Sequence, residues 1–154
     1  MLELKGNFDI FSLPQGSHEA VCVTTNGILK MNGHAVMGRG IAKQANDRFC
    51  LSEQLGKYLT MYGNRLFFMG NHYFNGTNQF SIITFPTKYD WREDSDINLI
   101  VKSAEQLVKT CEKFGITKCY LPPVGCGNGN LNWEHTVKPW LSQILDDRFI
   151  VVLR

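Results

Sequence analysis

Short apolar runs alternate with amphipathic segments along the chain. Six runs of four to six residues are rich in β-branched and aromatic residues and are bounded by Gly, Pro or Asn, which predicts β-strands. They are Phe8–Ser12, Ala20–Thr25, Leu66–Met69, Phe80–Phe85, Lys118–Leu121 and Phe149–Leu153. Two of them, Ala20–Thr25 and Phe149–Leu153, are nearly all apolar, which is typical of strands that are covered on both faces.

The segment from residue 96 to residue 114 has the clearest helical pattern. Its apolar residues recur three or four positions apart, from Ile97 through Leu107 to Phe114, which predicts an amphipathic helix. Asp94 or Ser95 is expected to cap the start of this helix, because a short polar side chain can accept from free backbone amides there. Gly115 is expected to end it.

Three further segments favour helices. We predict them at Arg39–Phe49, Glu53–Met61 and Trp133–Leu145, and Pro139 must either kink the last one or begin a new segment. Strands that alternate with helices predict an α/β fold around a mostly parallel central sheet. Because no linker or repeat interrupts the chain, we expect residues 1–154 to form one domain.

Composition narrows the choice of partners and compartment. Sixteen basic and 14 acidic residues give a net charge of +2, which is too small for capture of nucleic acid or membrane by overall charge. The five cysteines include no C-x-x-C pair and no zinc-finger spacing with the four histidines, which predicts reduced thiols and no metal site. No apolar stretch approaches the ~20 residues of a membrane span, so we expect no membrane contact and a reducing, cytoplasmic location.

Two glycine-rich segments follow predicted strands. The first is T-T-N-G-I-L-K-M-N-G-H-A-V-M-G-R-G-I-A-K-Q-A from Thr24 to Ala45, and the second is P-P-V-G-C-G-N-G-N-L-N-W from Pro122 to Trp133. Glycine allows a backbone to approach a ligand closely, and amides at the start of a helix can bind phosphate. Neither segment has a Walker G-K-[ST] ending or a dinucleotide G-x-G-x-x-G pattern. Together they predict a site for a phosphorylated ligand.

Three motifs make the prediction specific. V-M-G-R-G-I-A-K-Q (Val36–Gln44), T-F-P-T-K-Y-D-W-R (Thr84–Arg92) and L-P-P-V-G-C-G-N-G-N-L-N-W (Leu121–Trp133) resemble macro domains, and among them the DarG group, which removes ADP-ribose from thymidine bases of DNA. The resemblance covers nearly the whole chain in the same order, and F-P-T-K-x-x-W is its most discriminating element. It implies a three-layer α/β/α fold with a mixed, mostly parallel sheet, an ADP-ribose cleft and no cofactor.

The resemblance also implies roles for individual residues. Asp9 would accept a hydrogen bond from the exocyclic amine of adenine, with Ile10 beside the base. Asn26 would contact the distal ribose, and Asn32 competes for this role because residues 27–35 form a longer loop than in DarG. Lys88 matches the lysine implicated in catalysis in that group. The other predicted ADP-ribose contacts are Val36, Met37, Gly38, Arg39, Gly40, Ile41, Pro123, Gly125, Cys126, Gly127, Asn128, Gly129 and Asn130, and Trp91 and Arg92 are predicted base contacts.

The expected activity is hydrolysis of an N-glycosidic ADP-ribosyl bond, with DNA thymidine as the favoured acceptor. Lys88 could attack a ring-opened ribose, donate a proton to the departing base, or act through its charge alone. Two alternatives remain open: a hydrolase of small ADP-ribose derivatives such as a phosphomonoester or acyl ester, and a non-catalytic reader of ADP-ribose. The expected partners are ADP-ribose or an ADP-ribosylated substrate, including single-stranded DNA, bound by a monomer. The toxin-binding C-terminal region of DarG has no counterpart in the sequence, so we do not expect toxin sequestration.

Overall fold

One six-stranded mixed sheet forms the centre of the computed structural model, which describes all residues from 1 to 154. Its strands are β1 (Leu2–Lys5), β2 (Glu19–Thr25), β3 (Phe67–Asn75), β4 (Asn78–Pro86), β5 (Lys118–Leu121) and β6 (Phe149–Leu153). They lie in the order β1-β6-β5-β2-β4-β3, and every neighbouring pair is parallel except β3 and β4. The mostly parallel sheet expected from the sequence is confirmed.

Four α-helices accompany the sheet: α1 (Gly40–Phe49), α2 (Ser52–Tyr62), α3 (Ile97–Phe114) and α4 (Lys138–Leu141). A π-helical turn over Trp133–Val137 precedes α4, so the predicted helix at residues 133–145 consists of two pieces and ends at Leu141, before the predicted end. Pro139 lies in the first turn of α4, where a residue without an N–H is tolerated. No helix is both long enough and apolar enough to cross a membrane.

The sheet buries both of its faces. Along β2, Ala20 and Cys22 point into a core shared with α3 and α4, whereas Val21 and Val23 point into a second core shared with α1 and α2. This alternation follows from the two-residue period of a strand. Two apolar cores on opposite faces of one sheet give the three-layer α/β/α arrangement.

Two parts of the first 12 residues differ from the prediction. The predicted strand at Phe8–Ser12 is wrong, because Ile10–Ser12 forms a 3-10 helix. The carboxylate of Asp9 accepts from the amide of Phe11 at 3.1 Å and caps this turn, which bends the chain out of an extended path. The sequence pattern also missed β1, a short edge strand that pairs in parallel with β6 from the opposite end of the chain.

The cap of α3 is Asp96 and not Asp94 or Ser95. Its carboxylate accepts from the amides of Asn98 at 2.8 Å and Leu99 at 3.3 Å, which would otherwise lack partners in the first turn. Gly115 ends the helix as predicted, with a left-handed φ of 67°.

Three adjacent parallel strands end at the same edge of the sheet. β2 ends at Thr25, β4 at Pro86 and β5 at Leu121, and β2 lies between the other two. The segments that leave these strands therefore meet at this edge, and they include the two glycine-rich segments and the F-P-T-K-x-x-W motif. Ligand sites of open α/β sheets form at such an edge.

Candidate active site

A cleft of about 600 Å³ lies at the carboxyl edge of the sheet. Its walls come from the segments that follow β2, β4 and β5. Most of the predicted site residues line it: Asn26, Val36, Met37, Gly38, Arg39, Gly40, Ile41, Lys88, Trp91, Pro123, Gly125, Cys126, Gly127, Asn128 and Gly129.

A second cavity of about 300 Å³ adjoins this cleft. Ile41, Pro122 and Pro123 line both cavities and separate them. The predicted adenine contacts, Asp9 and Ile10, line the smaller one. The two cavities together suit an extended ligand with one group in each compartment.

The first glycine-rich segment continues into the first half of α1. Gly40 has a left-handed φ of 57°, and the preceding Arg39 is extended and provides no side-chain cap. The first helical amide with a backbone acceptor is that of Lys43, which donates to the carbonyl of Arg39 at 3.2 Å. The amides of the first turn, together with the helix dipole, therefore favour an anion at this side of the cleft.

The second glycine-rich segment faces the first across the cleft. A Cβ atom on Gly40 would lie 3.4 Å from Nδ2 of Asn128. Gly127 has a left-handed φ of 72° and open space where a side chain would begin, so its backbone is accessible from the cleft. Its freedom from a side chain suits close approach by a ligand.

Gly125 and Gly129 lack side chains for a different reason. A Cβ on Gly125 would lie 2.5 Å from Cδ1 of Ile100, and one on Gly129 would lie 2.2 Å from Oγ of Ser95. These two glycines let the segment pack against α3 and the residues before it. They line the cleft, but packing within the protein explains Gly129, and packing together with a left-handed φ of 80° explains Gly125.

Lys88 reaches across the cleft from the end of β4. Its ammonium donates to the backbone carbonyl of Asn128 at 3.0 Å and to that of Trp91 at 3.4 Å. The side-chain amide of Asn64 in turn donates to the carbonyl of Lys88 at 2.9 Å. The lysine charge is thus held by two carbonyl dipoles, and one of them belongs to the second glycine-rich segment.

Asn26 lines the cleft but uses its amide group to hold the neighbouring loop. Its Nδ2 donates to the carbonyl of Val36 at 3.2 Å, and its Oδ1 accepts from the amide of Ile28 at 3.0 Å. The intervening residues form a hairpin closed by a bridge between Leu29 and Ala35. Asn26 therefore fixes both ends of this hairpin.

Asn32 does not line the cleft. It lies at the exposed end of the hairpin, where its Oδ1 accepts from the amide of His34 at 3.0 Å. His34 likewise lies outside the cleft lining. Of the two asparagines that competed for the ribose, the structure brings only Asn26 to the cleft.

Two other predicted residues also lie outside the cleft lining. Asn130 has a left-handed φ of 62°, and its side-chain amide donates to Asp94 at 2.8 Å. Arg92 turns back to Asp90, with contacts of 2.9 and 2.6 Å, and this pairing lowers the pKa of Asp90 to about 2. Trp91 lines the mouth with 44% of its surface exposed. The guanidinium carbon of Arg92 lies 5.7 Å from the centroid of the Trp91 ring, so of these two predicted base contacts only Trp91 lines the cleft.

Cys126 is half-buried in the second glycine-rich segment. Burial raises the pKa of its thiol, so the sulfur remains protonated and weakly nucleophilic at neutral pH. Its Sγ lies 3.6 Å from the carbonyl of Val124. His, Cys, Asp and Glu side chains form no group of three that could hold a metal ion.

Several cavity residues were not predicted. In the large cleft they are Thr24, Thr25, Ala42, Thr87, Ser95 and Pro122, and in the small one Gly6, Phe8, Gln44, Val152 and Arg154. Thr25 and Thr87 lie at or just after carboxyl ends of strands, so that position was a usable signal. Val152 and Arg154 had no local signal, because pairing of β6 with β1 brings them to the site from the far end of the chain.

The sequence comparison decides the family. The family model for the macro domain matches residues 30–139. The chain belongs to the macro domain family. A DNA ADP-ribosyl glycohydrolase from Mycobacterium tuberculosis is 31% identical to this macro domain over 124 residues, which are 77% of the chain and 35% of the relative. One from Thermus aquaticus is 34% identical over 65 residues, 42% of the chain and 18% of the relative.

Solved macrodomains share the whole fold. The macrodomain of Mycobacterium tuberculosis DarG matches this macro domain with a TM-score of 0.77 and 25% identity, over 99% of this chain and 98% of that one. The macrodomain of Thermus aquaticus DarG gives 0.76 and 26% identity, over 99% and 97%. Thermosipho africanus DarTG, solved with ADP-ribose, shares the fold at 0.79 with 21% identity, over 100% of this chain and 42% of that one. This macro domain spans about a third of the length of the first Mycobacterium relatives it matches, at 35%.

Proposed function

We propose that this macro domain binds ADP-ribose across its two cavities and hydrolyses the N-glycosidic bond between ADP-ribose and a thymidine base of DNA. The observation that carries the proposal is the ammonium of Lys88, held at the cleft by the carbonyls of Asn128 and Trp91. The DNA ADP-ribosyl glycohydrolases of Mycobacterium tuberculosis and Thermus aquaticus are similar in sequence, which supports the same reaction class.

The two glycine-rich segments provide the binding part of the mechanism. Backbone amides at the start of α1 and around Gly127 would donate to the diphosphate from opposite sides of the cleft. Adenine would occupy the smaller cavity beside Asp9 and Ile10. The distal ribose would then lie near Lys88, Asn26 and Asn128, which line the larger cleft. Binding energy from the remote adenylate half would thereby fix the reacting carbon.

The chemical step follows from the charge that develops in it. As the bond between ribose C1 and the base nitrogen breaks, the ribose becomes oxocarbenium-like and the base gains negative charge. A Lys88 ammonium beside the base would donate a proton to it, or would stabilise its charge until the base takes a proton from solvent. Water would attack the opposite face of the ribose carbon and lose one proton to solvent. The role as a nucleophile requires Lys88 first to leave its two carbonyl acceptors and lose a proton, so the observed contacts favour the acid or electrostatic role.

One observation favours a second candidate, a non-catalytic reader of ADP-ribose. Both polar groups of the Asn26 side chain are engaged by the hairpin, and two carbonyls accept from Lys88. In a reader these contacts would persist when the ligand binds. In a hydrolase, the substrate would take the third N–H of the Lys88 ammonium or displace one of the two carbonyls.

Three substrates offered in parallel separate the candidates. Purified protein would be incubated with a thymidine-ADP-ribosylated single-stranded oligonucleotide, with ADP-ribose phosphomonoester and with ADP-ribosylated protein, and free ADP-ribose measured by chromatography. We expect release from the oligonucleotide. Release only from the phosphomonoester would support the small-derivative hydrolase, and ADP-ribose binding without release would support the reader.

The proposal includes the setting in which the protein works. We propose that the protein acts as a monomer. We also propose that its substrate is single-stranded DNA, because an unpaired base of a flexible strand can enter the cleft beside Trp91. We also propose a reducing, cytoplasmic location. All five cysteines are free thiols, including the exposed Cys50, which supports that location.

A further inference from the structure

Asp9 is held by an arginine from the far end of α1. Nη1 of Arg48 donates to Oδ1 of Asp9 at 2.9 Å and to Oδ2 at 3.0 Å. The amide of Phe11 also donates to Oδ1, at 3.1 Å. Three donor contacts thus fix the orientation of a carboxylate whose residue lines the smaller cavity.

The two carboxylate oxygens are not equivalent. Each has room for about two hydrogen bonds. Oδ1 already accepts from Phe11 and Arg48, whereas Oδ2 accepts from Arg48 alone. One acceptor position therefore remains, and it belongs to Oδ2.

Arg48 is itself held by aromatic rings. Its guanidinium carbon lies 5.0 Å from the centroid of the Phe11 ring and 5.6 Å from that of Phe49. Phe49 packs edge-on against Phe11, Tyr73 and Phe80, with centroids 5.3 to 5.7 Å apart. Arg48 does not line either cavity. It contacts the carboxylate of Asp9 without lining the cavity that the ligand would occupy.

We infer that Arg48 is a positioning residue that makes Oδ2 of Asp9 a single, directed acceptor and so selects a 6-aminopurine over a 6-oxopurine. This inference rests on the proposed binding of ADP-ribose. A neutral base that covers an unpaired carboxylate removes it from water at a high cost, and the guanidinium offsets that cost. A 6-oxo group presents only an acceptor to Oδ2, so the two oxygens repel.

The test compares two ligands on three proteins. The ligands are ADP-ribose and its inosine analogue, which carries a 6-oxo group in place of the 6-amino group. The proteins are wild type, Arg48→Met and Lys43→Met, and affinities are measured by calorimetry. Lys43 is the matched control, because it also lies on α1 and pairs with an exposed carboxylate, Asp47, at 2.6 Å, but it is not in contact with Asp9.

We expect wild type and Lys43→Met to bind ADP-ribose about tenfold more tightly than the analogue. The analogue loses one directed hydrogen bond to Oδ2 of Asp9 and gains a repulsion between two oxygens in its place. Arg48→Met is expected to lose about fivefold in ADP-ribose affinity and little for the analogue, so the preference falls to about twofold. Arg48→Lys, which keeps a cationic donor, should restore most of the preference.

An unchanged preference in Arg48→Met, with wild type binding ADP-ribose normally, would overturn the role of Arg48 and leave the proposed function intact. Failure of wild type to bind ADP-ribose would instead overturn the proposed function. The melting temperature of each variant is compared with that of wild type to detect a folding defect. Loss of the partly exposed ion pair between Arg48 and Asp9 should by itself have little effect on stability.

Discussion

Lys88 holds two backbone carbonyls in the protein without ligand, and we propose that it also takes part in the reaction. Its ammonium connects the segment after β4 to the carbonyl of Asn128 in the second glycine-rich segment. A substrate acceptor near Lys88 would take its third N–H or replace this carbonyl. The residue-scale question is therefore whether Lys88 acts on the bond that breaks or only holds the two walls of the cleft together.

Lys88→Ala tests this directly. We expect ADP-ribose affinity to stay within about tenfold, or ~1.4 kcal/mol, because we propose that backbone amides, and not Lys88, bind the diphosphate. Release of ADP-ribose from thymidine-modified single-stranded DNA should slow by ~100-fold or more, the usual effect of losing a proton donor. Single-turnover rates and calorimetry measure the two quantities.

Lys88→Arg separates the two chemical roles. Arginine keeps the charge but gives up a proton far less readily, so poor recovery of turnover would indicate proton transfer. Full recovery would assign Lys88 an electrostatic role. Turnover of Lys88→Ala at the wild-type rate would remove Lys88 from catalysis and direct attention to Asn26.

At the scale of elements, the second glycine-rich segment combines two kinds of glycine. Gly125 and Gly129 are packed against Ile100 and Ser95, whereas Gly127 faces open space. Gly127→Val should lower ADP-ribose affinity by ~100-fold or more, because the new side chain would occupy the space beside the exposed backbone. Calorimetry with ADP-ribose measures the loss.

Gly76→Val is the matched control for this change. Gly76 has a left-handed φ of 63° and open space at its Cβ, like Gly127, but it lies in the turn between β3 and β4. Both variants should lose about 1–2 kcal/mol of folding free energy to backbone strain. Only Gly127→Val should lose ADP-ribose affinity. Equal ADP-ribose affinities of the two variants would show that the second glycine-rich segment is a turn without a role in binding.

The start of α3 gives a second test at this scale. Asp96→Ala removes the acceptor of two first-turn amides, so we expect a loss of ~0.5–2 kcal/mol of stability. Glu105→Ala, at an exposed position within the same helix, should change stability by less than ~0.5 kcal/mol. Thermal melts of both variants compare them, and equal melting temperatures would contradict the cap.

Periodicity predicted the elements better than their ends. Apolar spacing located α3 and the buried strand β2, since burial dictates those residues. It failed at Phe8–Ser12, where one hydrogen bond from Phe11 to Asp9 turns an apolar run into a 3-10 helix. It also missed Asp96 as the cap of α3. Asp94, Ser95 and Asp96 can all cap a helix, and the sequence does not show which of them has the backbone direction that a cap requires.

The site was predictable where it is local and not where it is assembled from distant segments. The motifs located Lys88 and the two glycine-rich segments. The Arg48 contact with Asp9 spans 39 residues, and Arg154 reaches the smaller cavity only through the sheet, so neither leaves a pattern in the sequence. Asn32 was a plausible ribose contact until the hairpin placed it at an exposed end.

At the scale of the whole molecule, Glu3 joins the first strand to the π-helical turn and to α4. Its carboxylate accepts from the ammonium of Lys138 and, at 3.2 Å, from Nε1 of Trp133. The hydrogen bond from Lys138 is the main cause that holds the pKa of Glu3 below its ordinary value of 4.5. Glu3 therefore favours folding when it is ionised.

Because this pKa is lower in the folded state, the stabilisation is complete above about pH 4.5 and is lost as pH falls through the folded value. Glu3→Gln should lower the urea midpoint at pH 7, and the difference from wild type should shrink as the solution is acidified. Glu105→Gln, on an exposed face of α3, should show no such convergence. A pH-independent difference for Glu3→Gln would contradict the ionic role.

Ile41, Pro122 and Pro123 form a partition between the two cavities, which has a consequence for ligand design. A molecule confined to the smaller cavity and another confined to the larger one can bind at the same time, since they share only this partition. Joining them through a linker that passes over the partition makes the second binding event intramolecular, with an effective concentration on the order of millimolar. Two weak fragments would then combine into one tight ligand, and the best linker length would report the distance across the partition in solution.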